Sequence, residues 1–164
     1  MKKNLLLLSA FIAVLAFASC SSSKSTSGTE DAGDLKKRMF NGTWVVDNVE
    51  EDPGLKLAPD VNVLGIGDPV CFAGSTWALV SNNNTGNIAT SELTPCGASD
   101  YNIVWDVNGD SYSFKFVDES EKAKQVKTGY AFQIMTIDET TMSLKTTVRF
   151  LNKDCPITFN FIKQ

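Results

Sequence analysis

From Thr43 to Phe161 the chain repeats one pattern: short runs of alternating apolar and polar residues, separated by clusters of Asn, Gly, Asp and Pro. Successive side chains of a strand point to opposite faces, so such runs fit half-buried strands and not helices. The best-specified case is Tyr101–Val107 and Asp110–Phe116 about Asn108-Gly109, a dipeptide that favours a two-residue type I′ turn. With Val107 opposite Asp110, Trp105 faces Tyr112, Ile103 faces Phe114 and Tyr101 faces Phe116. Those six residues then share one face, and Asn102, Asp106, Ser113 and Lys115 take the other. Cross-strand pairs of this kind contribute roughly 0.2–1 kcal/mol each relative to alanine pairs. A one-residue slip would turn the whole set outward.

The remaining runs extend the pattern. Trp44–Val49 reads as a first strand, followed by a Pro/Gly-rich excursion through Pro53, Gly54 and Pro59. Val61–Ile66 reads as a weak strand. Ser75–Ser81 and Asn87–Leu93 flank Asn82-Asn83-Asn84-Thr85-Gly86, a run of turn formers that closes a hairpin. Tyr130, Phe132 and Ile134 alternate, and so do Met142, Leu144, Thr146, Val148 and Phe150. The phase breaks at Ile137, which predicts a bulge or an irregular loop at Asp138-Glu139. Ile157, Phe159 and Phe161 form a last strand. Ahead of them all, Asp34 is placed to cap a short helical stretch, Leu35–Phe40, with Leu35 and Met39 at i, i+4 against the domain. Eight or nine short strands and one short helix predict an all-β antiparallel barrel or sandwich.

The N-terminus sets the address. Lys2 and Lys3 precede an apolar run to Ala18 that is short for a membrane span, and Ser19 and Cys20 follow it. This resembles the lipobox of a bacterial lipoprotein, in which Cys20 becomes the diacylated first residue. Ala16-Phe17-Ala18 is also an A-x-A site for ordinary secretion, and both cleavages stay open at this point. Residues 21–34 are Ser-, Thr- and Gly-rich and read as a flexible tether, with an r.m.s. reach of about 20 Å. The expected organisation is a signal peptide over 1–19, a lipidated cysteine and tether over 20–34, and one domain over 35–164. The expected location is the outer membrane, held by acyl chains. Ser21-Ser22-Ser23-Lys24 lacks the acidic run that resembles a surface-export tag, which favours the periplasmic face.

Composition removes whole classes of function. The chain has no histidine, which excludes Ser-His and Cys-His nucleophilic pairs and histidine metal sites. Loss of Lys2 and Lys3 with the leader leaves 13 basic against 19 acidic residues, moving the formal net charge from −4 to −6. Such a surface has no basic stripe to displace counterions from phosphates, so nucleic acid is not an expected partner. No catalytic group, cofactor or metal is expected. Asp106–Asp110 faintly resembles a Ca²⁺ loop, but a hairpin turn accounts for it better. Asp118, Glu119 and Glu121 read as a solvated charged loop.

Three cysteines remain in an oxidising compartment. With Val80 opposite Asn87, Cys71 and Cys96 lie at matching distances down the two arms of the Asn-rich hairpin. This favours Cys71–Cys96, a loop of about 26 residues worth roughly 3.5 kcal/mol. Cys155 is then a buried small hydrophobe, and Cys71–Cys155 is the competing pairing.

Asn41-Gly42-Thr43-Trp44 opens the strands directly after the short helix and resembles the G-x-W signature of lipocalins. Ser75-Thr76-Trp77, Asn84-Thr85-Gly86 and Tyr130–Leu144 resemble the small lipocalin-like lipoproteins of the Bacteroidetes type. The resemblance implies an up-and-down lipocalin-like β-barrel with Trp44 closing one end. It also implies a late arginine stacked on that Trp, for which Arg149 is the candidate; with Val148 and Phe150 facing inward, the alternative is that Arg149 points to solvent. The implied function is non-catalytic binding of a small apolar or amphipathic molecule, lined by Tyr101, Ile103, Trp105, Tyr112, Phe114 and Phe116. The same six residues can equally be plain core. In that case the domain is an envelope interaction or inhibitor module with a filled interior, and a void among Trp105, Tyr112 and Phe114 separates the two readings.

Overall fold

The computed structural model describes residues 32–55, 61–118 and 124–164. Cys20, the signal peptide, residues 21–31 of the tether, Pro59, Glu119 and Glu121 lie outside the described residues. Helix α1 (Ala32–Met39) leads into β1 (Gly42–Glu51). A one-turn 3-10 helix (Pro69–Phe72) precedes β2 (Thr76–Val80), β3 (Thr85–Ala89), β4 (Asp100–Asn108) and β5 (Ser111–Phe116). The chain then forms β6 (Tyr130–Ile137), β7 (Thr141–Phe150) and β8 (Lys153–Lys163). Each strand pairs antiparallel with the next, and β8 returns to β1, so the sheet closes as an eight-stranded up-and-down barrel. The seam runs from Trp44 opposite Lys163 to Glu51 opposite Ile157, with a register shift between Val46 and Asn48.

Several expectations are corrected. Val61–Ile66 is not a strand. Val63 and Gly67 form an isolated bridge, because Leu64 and Gly65 both adopt positive φ and reverse the chain between them. Asp34 does not cap the helix; it lies in the first turn of α1, and Leu35 points to solvent at 53 % exposure. In the β4–β5 hairpin Asn108 opposes Ser111, so Trp105 faces Phe114 and Ile103 faces Phe116. Gly109 carries a positive φ of 59° and Asp110 does not, which fits a type II′ loop of Gly109-Asp110 and not type I′. In the β2–β3 hairpin Val80 faces Thr85, again two residues from the expected register. The bulge in β6 lies between Ile134 and Thr136, before the predicted phase break.

One end of the barrel carries α1 and the three short β2–β3, β4–β5 and β6–β7 turns. There Lys36 and Lys37 pair with Asp110 and Asp106, fixing the helix on the β4–β5 hairpin. The Asp106 and Asp110 carboxylates are therefore engaged by the helix. The β6–β7 turn is held by Asp138, whose carboxylate accepts from the Thr140 and Thr141 amides at 2.8 and 2.6 Å. These bonds, the Thr140 amide first, hold its pKa at about 2 against the usual 3.8. A depressed folded-state pKa means the stabilisation is complete above about pH 4 and fades as pH falls towards 2. The difference in urea midpoint between wild type and Asp138→Ala should therefore shrink across that window. A difference that is flat from pH 6 to 2.5 would contradict the assignment.

Candidate ligand site in the barrel interior

Alternation delivers the inner wall residue by residue. Trp44 and Val46 come from β1, Trp77 and Leu79 from β2, and Ile88 from β3. β4 and β5 add Ile103, Trp105, Tyr112 and Phe114, while β8 adds Cys155, Ile157, Phe159 and Phe161. All are buried. Among the described residues the buried polar side chains outside this set are Ser75 and Thr90, so the interior is predominantly apolar.

Trp77 occupies its middle. The indole stands edge-on to Phe114, Phe132 and Phe161 at centroid distances of 5.6, 6.2 and 5.1 Å. Its Nε1 donates to Ser75 Oγ at 3.2 Å. Edge-to-face contacts at these spacings are a filled arrangement and leave no preformed chamber between the rings. Of the six sequence-predicted lining residues, Ile103, Trp105, Tyr112 and Phe114 are fully buried; Tyr101 and Phe116 are half-buried, 5.2 Å apart near the other end. Trp105 packs on Tyr112 at 5.9 Å, and Tyr112 on Phe114 at 6.1 Å. A concavity of about 450 Å³ lies along β4–β6, lined by Val104, Ser113, Lys115 and Ala131 and also by Trp105 and Phe114 of the predicted set.

Phe40 was not read as a functional residue, and it corks the α1 end. It follows the helix, is fully buried and stacks on Tyr112 at 5.0 Å with the planes 4° apart. Its carbonyl accepts from Trp44 Nε1 at 2.8 Å, which fixes that indole across the floor. A single apolar residue after a short helix carries no periodic signal, so sequence patterning gave no clue to it. The Tyr112 hydroxyl, among the described residues, is a buried polar atom with no partner; burial pushes its pKa up and keeps it neutral.

The cation on Trp44 is not Arg149, whose alternative placement in solvent is the one observed. Arg149 is exposed and opposite Asp154, because it lies on the outward parity of β7. Lys163, directly across the seam, sets its Nζ 4.9 Å from the Trp44 ring centroid. Lys163→Met should lower stability by roughly 0.5–1 kcal/mol, and Arg149→Met should leave it unchanged within error. Urea titrations followed by tryptophan emission distinguish the two.

The opposite end is closed by chain between strands. Leu55, Val61, Val63, Leu64 and Phe72, all from the β1–β2 connection, are buried over the mouth. Phe72 meets Phe159 edge-on at 5.4 Å. Cys71, in the 3-10 turn, is joined to Cys96 in the β3–β4 connection, with their Cα atoms 5.5 Å apart. Neither cysteine lies in the β2–β3 ladder, so the two meet through loops and not by strand register. Cys155 is unpaired and buried, its Sγ 3.8 Å from the Lys153 carbonyl.

A crystal structure of a lipocalin-like protein from Bacteroides uniformis is similar at 10 % identity and a TM-score of 0.46, covering 77 % of this chain and 99 % of that one. A protein from Bacteroides eggerthii is similar at 10 % identity and 0.44, covering 76 % and 99 %. Bovine odorant-binding protein with its natural ligand matches at 10 % and 0.44, covering 82 % and 74 %. No curated protein sequence matches the chain. The family model of the lipocalin-like domain matches residues 40–144, well over half of the sequence and the stretch that runs from the Phe40 cork into the start of β7 at Leu144. With its closed eight-stranded barrel and helix-corked floor, this chain belongs to the lipocalin-like domain family.

Proposed function

We propose that this protein is a non-catalytic, membrane-tethered binding domain that takes up a small apolar or amphipathic molecule at the mouth of its barrel. The observation that carries this reading is the origin of the side chains filling the mouth. The lower interior is filled from the strands, whereas Leu55, Val61, Val63, Leu64 and Phe72 come from one connection and can withdraw without breaking a strand pair. Withdrawal exposes an apolar wall of Phe159, Tyr101, Phe116 and their neighbours, the kind of surface that buries an apolar ligand. Family membership supports the same class of function.

Tethering rests on Cys20 after a short apolar leader and before a polar linker. Intact mass of the mature protein tests it: the expected product begins at a Cys20 that carries acyl chains, and an unmodified chain beginning at Ser19 would remove the anchor. For the ligand, native mass spectrometry of the domain purified from its own host should show an added small molecule that organic extraction removes. A second reading is favoured by the Trp77 cluster, which fills the middle of the barrel. On that reading the core is fixed and the domain acts through its outer loops on an envelope partner. An unliganded native mass together with no uptake of the apolar dye N-phenyl-1-naphthylamine would select it.

A further inference from the structure

We propose that the Cys71–Cys96 bond is a redox-addressable clasp that holds residues 61–72 in the barrel mouth as a plug, and that a dithiol acting at Cys96 releases it; the proposal rests on the mouth being the ligand entrance. Residues 61–72 make a small reversed loop. Val63 N–H donates to Gly67 O at 2.7 Å and Ile66 N–H to Val63 O at 3.1 Å. Leu64 and Gly65 between them have φ of 54° and 72°, the paired left-handed conformation of a type I′ turn. That geometry suits Asn or Gly, and a leucine adopts it under strain. Leu64 is nevertheless buried, so the strained turn drives an apolar side chain down onto the barrel. Strain of this kind concentrates at clamps and switch segments.

The attachment of the plug is the second observation. Among the described residues, the backbone hydrogen bonds of 61–72 stay within the β1–β2 connection: Cys71 N–H donates to Asp68 O and Val70 N–H to the Asp68 carboxylate, while the Val70 and Phe72 carbonyls accept from Ala73 and Ser75 just beyond the segment. No ladder bond ties it to a strand. It is held by apolar burial, by the Tyr130 hydroxyl above Gly65, where a Cβ would lie 2.6 Å away, and by the disulfide. The disulfide lies against the plug itself: a Cβ at Gly67 would lie 2.9 Å from Cys71 Sγ and 3.4 Å from Cys96 Sγ. A segment with few external backbone bonds opens locally at lower cost than the sheet beneath it. The covalent bond is what prevents this.

The clasp is accessible from one side. Cys71 is fully buried and Cys96 is exposed. A thiolate of the dithiol attacks Cys96 Sγ, the S–S bond breaks, and Cys71 leaves as a thiolate that takes a proton from water. The second thiol of the reductant then attacks the mixed disulfide. This frees Cys96 and leaves the reductant as its own disulfide, two electrons having passed to the clasp. Reoxidation restores the bond.

Stopped-flow uptake of N-phenyl-1-naphthylamine by the full chain, oxidised or treated with dithiothreitol, tests the proposal. Reduction, verified by thiol labelling of Cys71 and Cys96, should raise the uptake rate at least tenfold. Cys96→Ser should take up the dye at the fast rate with or without reductant. Measurable uptake at equal rates in fully oxidised and fully reduced wild type overturns the clasp. Hydrogen exchange on the wild type supplies a readout independent of any ligand. The amides of Val63, Ile66 and Gly67 should lose protection on reduction while those of β2, β4 and β8 keep theirs. Loss of protection throughout the sheet would show the bond to be a staple of the whole fold and would equally overturn the proposal. Local opening with no dye uptake would support the clasp and refute the ligand reading instead.

Discussion

Trp77→Ala is expected to lower the free energy of unfolding by about 3–5 kcal/mol. The indole is fully buried and stands edge-on to three phenylalanines, so truncation removes transfer energy and leaves a hole that β-strand walls cannot close. Ser75 Oγ also loses the donor at 3.2 Å, although it can turn to another partner. Urea denaturation monitored by far-UV circular dichroism measures the loss. Trp77→Phe should recover part of it, because a smaller ring keeps the edge contacts. The same alanine variant should bind benzene-sized apolar molecules, since an apolar hole of that size stays dry and accepts them. A cost below 1 kcal/mol would mean that the indole does not sit at the centre of this packing.

Phe40→Ala should cost a similar amount, about 3–5 kcal/mol, and for a different reason. Phe40 belongs to no strand, yet its ring stacks on Tyr112 and lies 5.9 Å from Trp105. Its loss opens the floor and wets the unpartnered Tyr112 hydroxyl. The backbone carbonyl that receives Trp44 Nε1 survives the substitution, so Trp44 should keep its orientation. Near-UV dichroism should accordingly lose tyrosine signal more than tryptophan signal. Leu35→Ala on the exposed side of α1 is the control and should change stability by less than about 0.5 kcal/mol. Equal effects from the two variants would place the stabilisation in the helix and not in the cork.

What the sequence disclosed follows the physics of strands. Period-two alternation placed Trp105, Tyr112 and Phe114 on the inner face because inward parity is visible in the residues themselves. The expected registers of both hairpins nevertheless differ from the structure by two residues, Val107 meeting Tyr112 and Val80 meeting Thr85. A slip of one flips every side chain and is excluded by pattern; a slip of two keeps every face and leaves no trace in hydrophobicity. Only turn chemistry separates such registers, and Gly109 serves a II′ loop as well as a I′ loop. The plug was misread for a related reason. Val61, Val63 and Ile66 look like a strand until Leu64 adopts a positive φ, which nothing about leucine announces. Lys163 and Phe40 were missed because each acts as a single residue at the end of an element, where periodicity has nothing to repeat. The interior's outline was therefore legible, while its stoppers at both ends were not.

The β1–β8 seam also has a meaning in time. β1 is among the first strands to be made and β8 is the last, so the two edges that meet there are separated by nearly the whole domain. Until Lys153–Lys163 is available, every earlier strand can pair only into an open sheet. Trp77 meanwhile lacks its Phe159 and Phe161 neighbours. Pairings over such a span make folding slow, in the millisecond-to-second range of β-barrels. The eleven residues of β8 then convert an aggregation-prone sheet with two bare edges into a barrel with none.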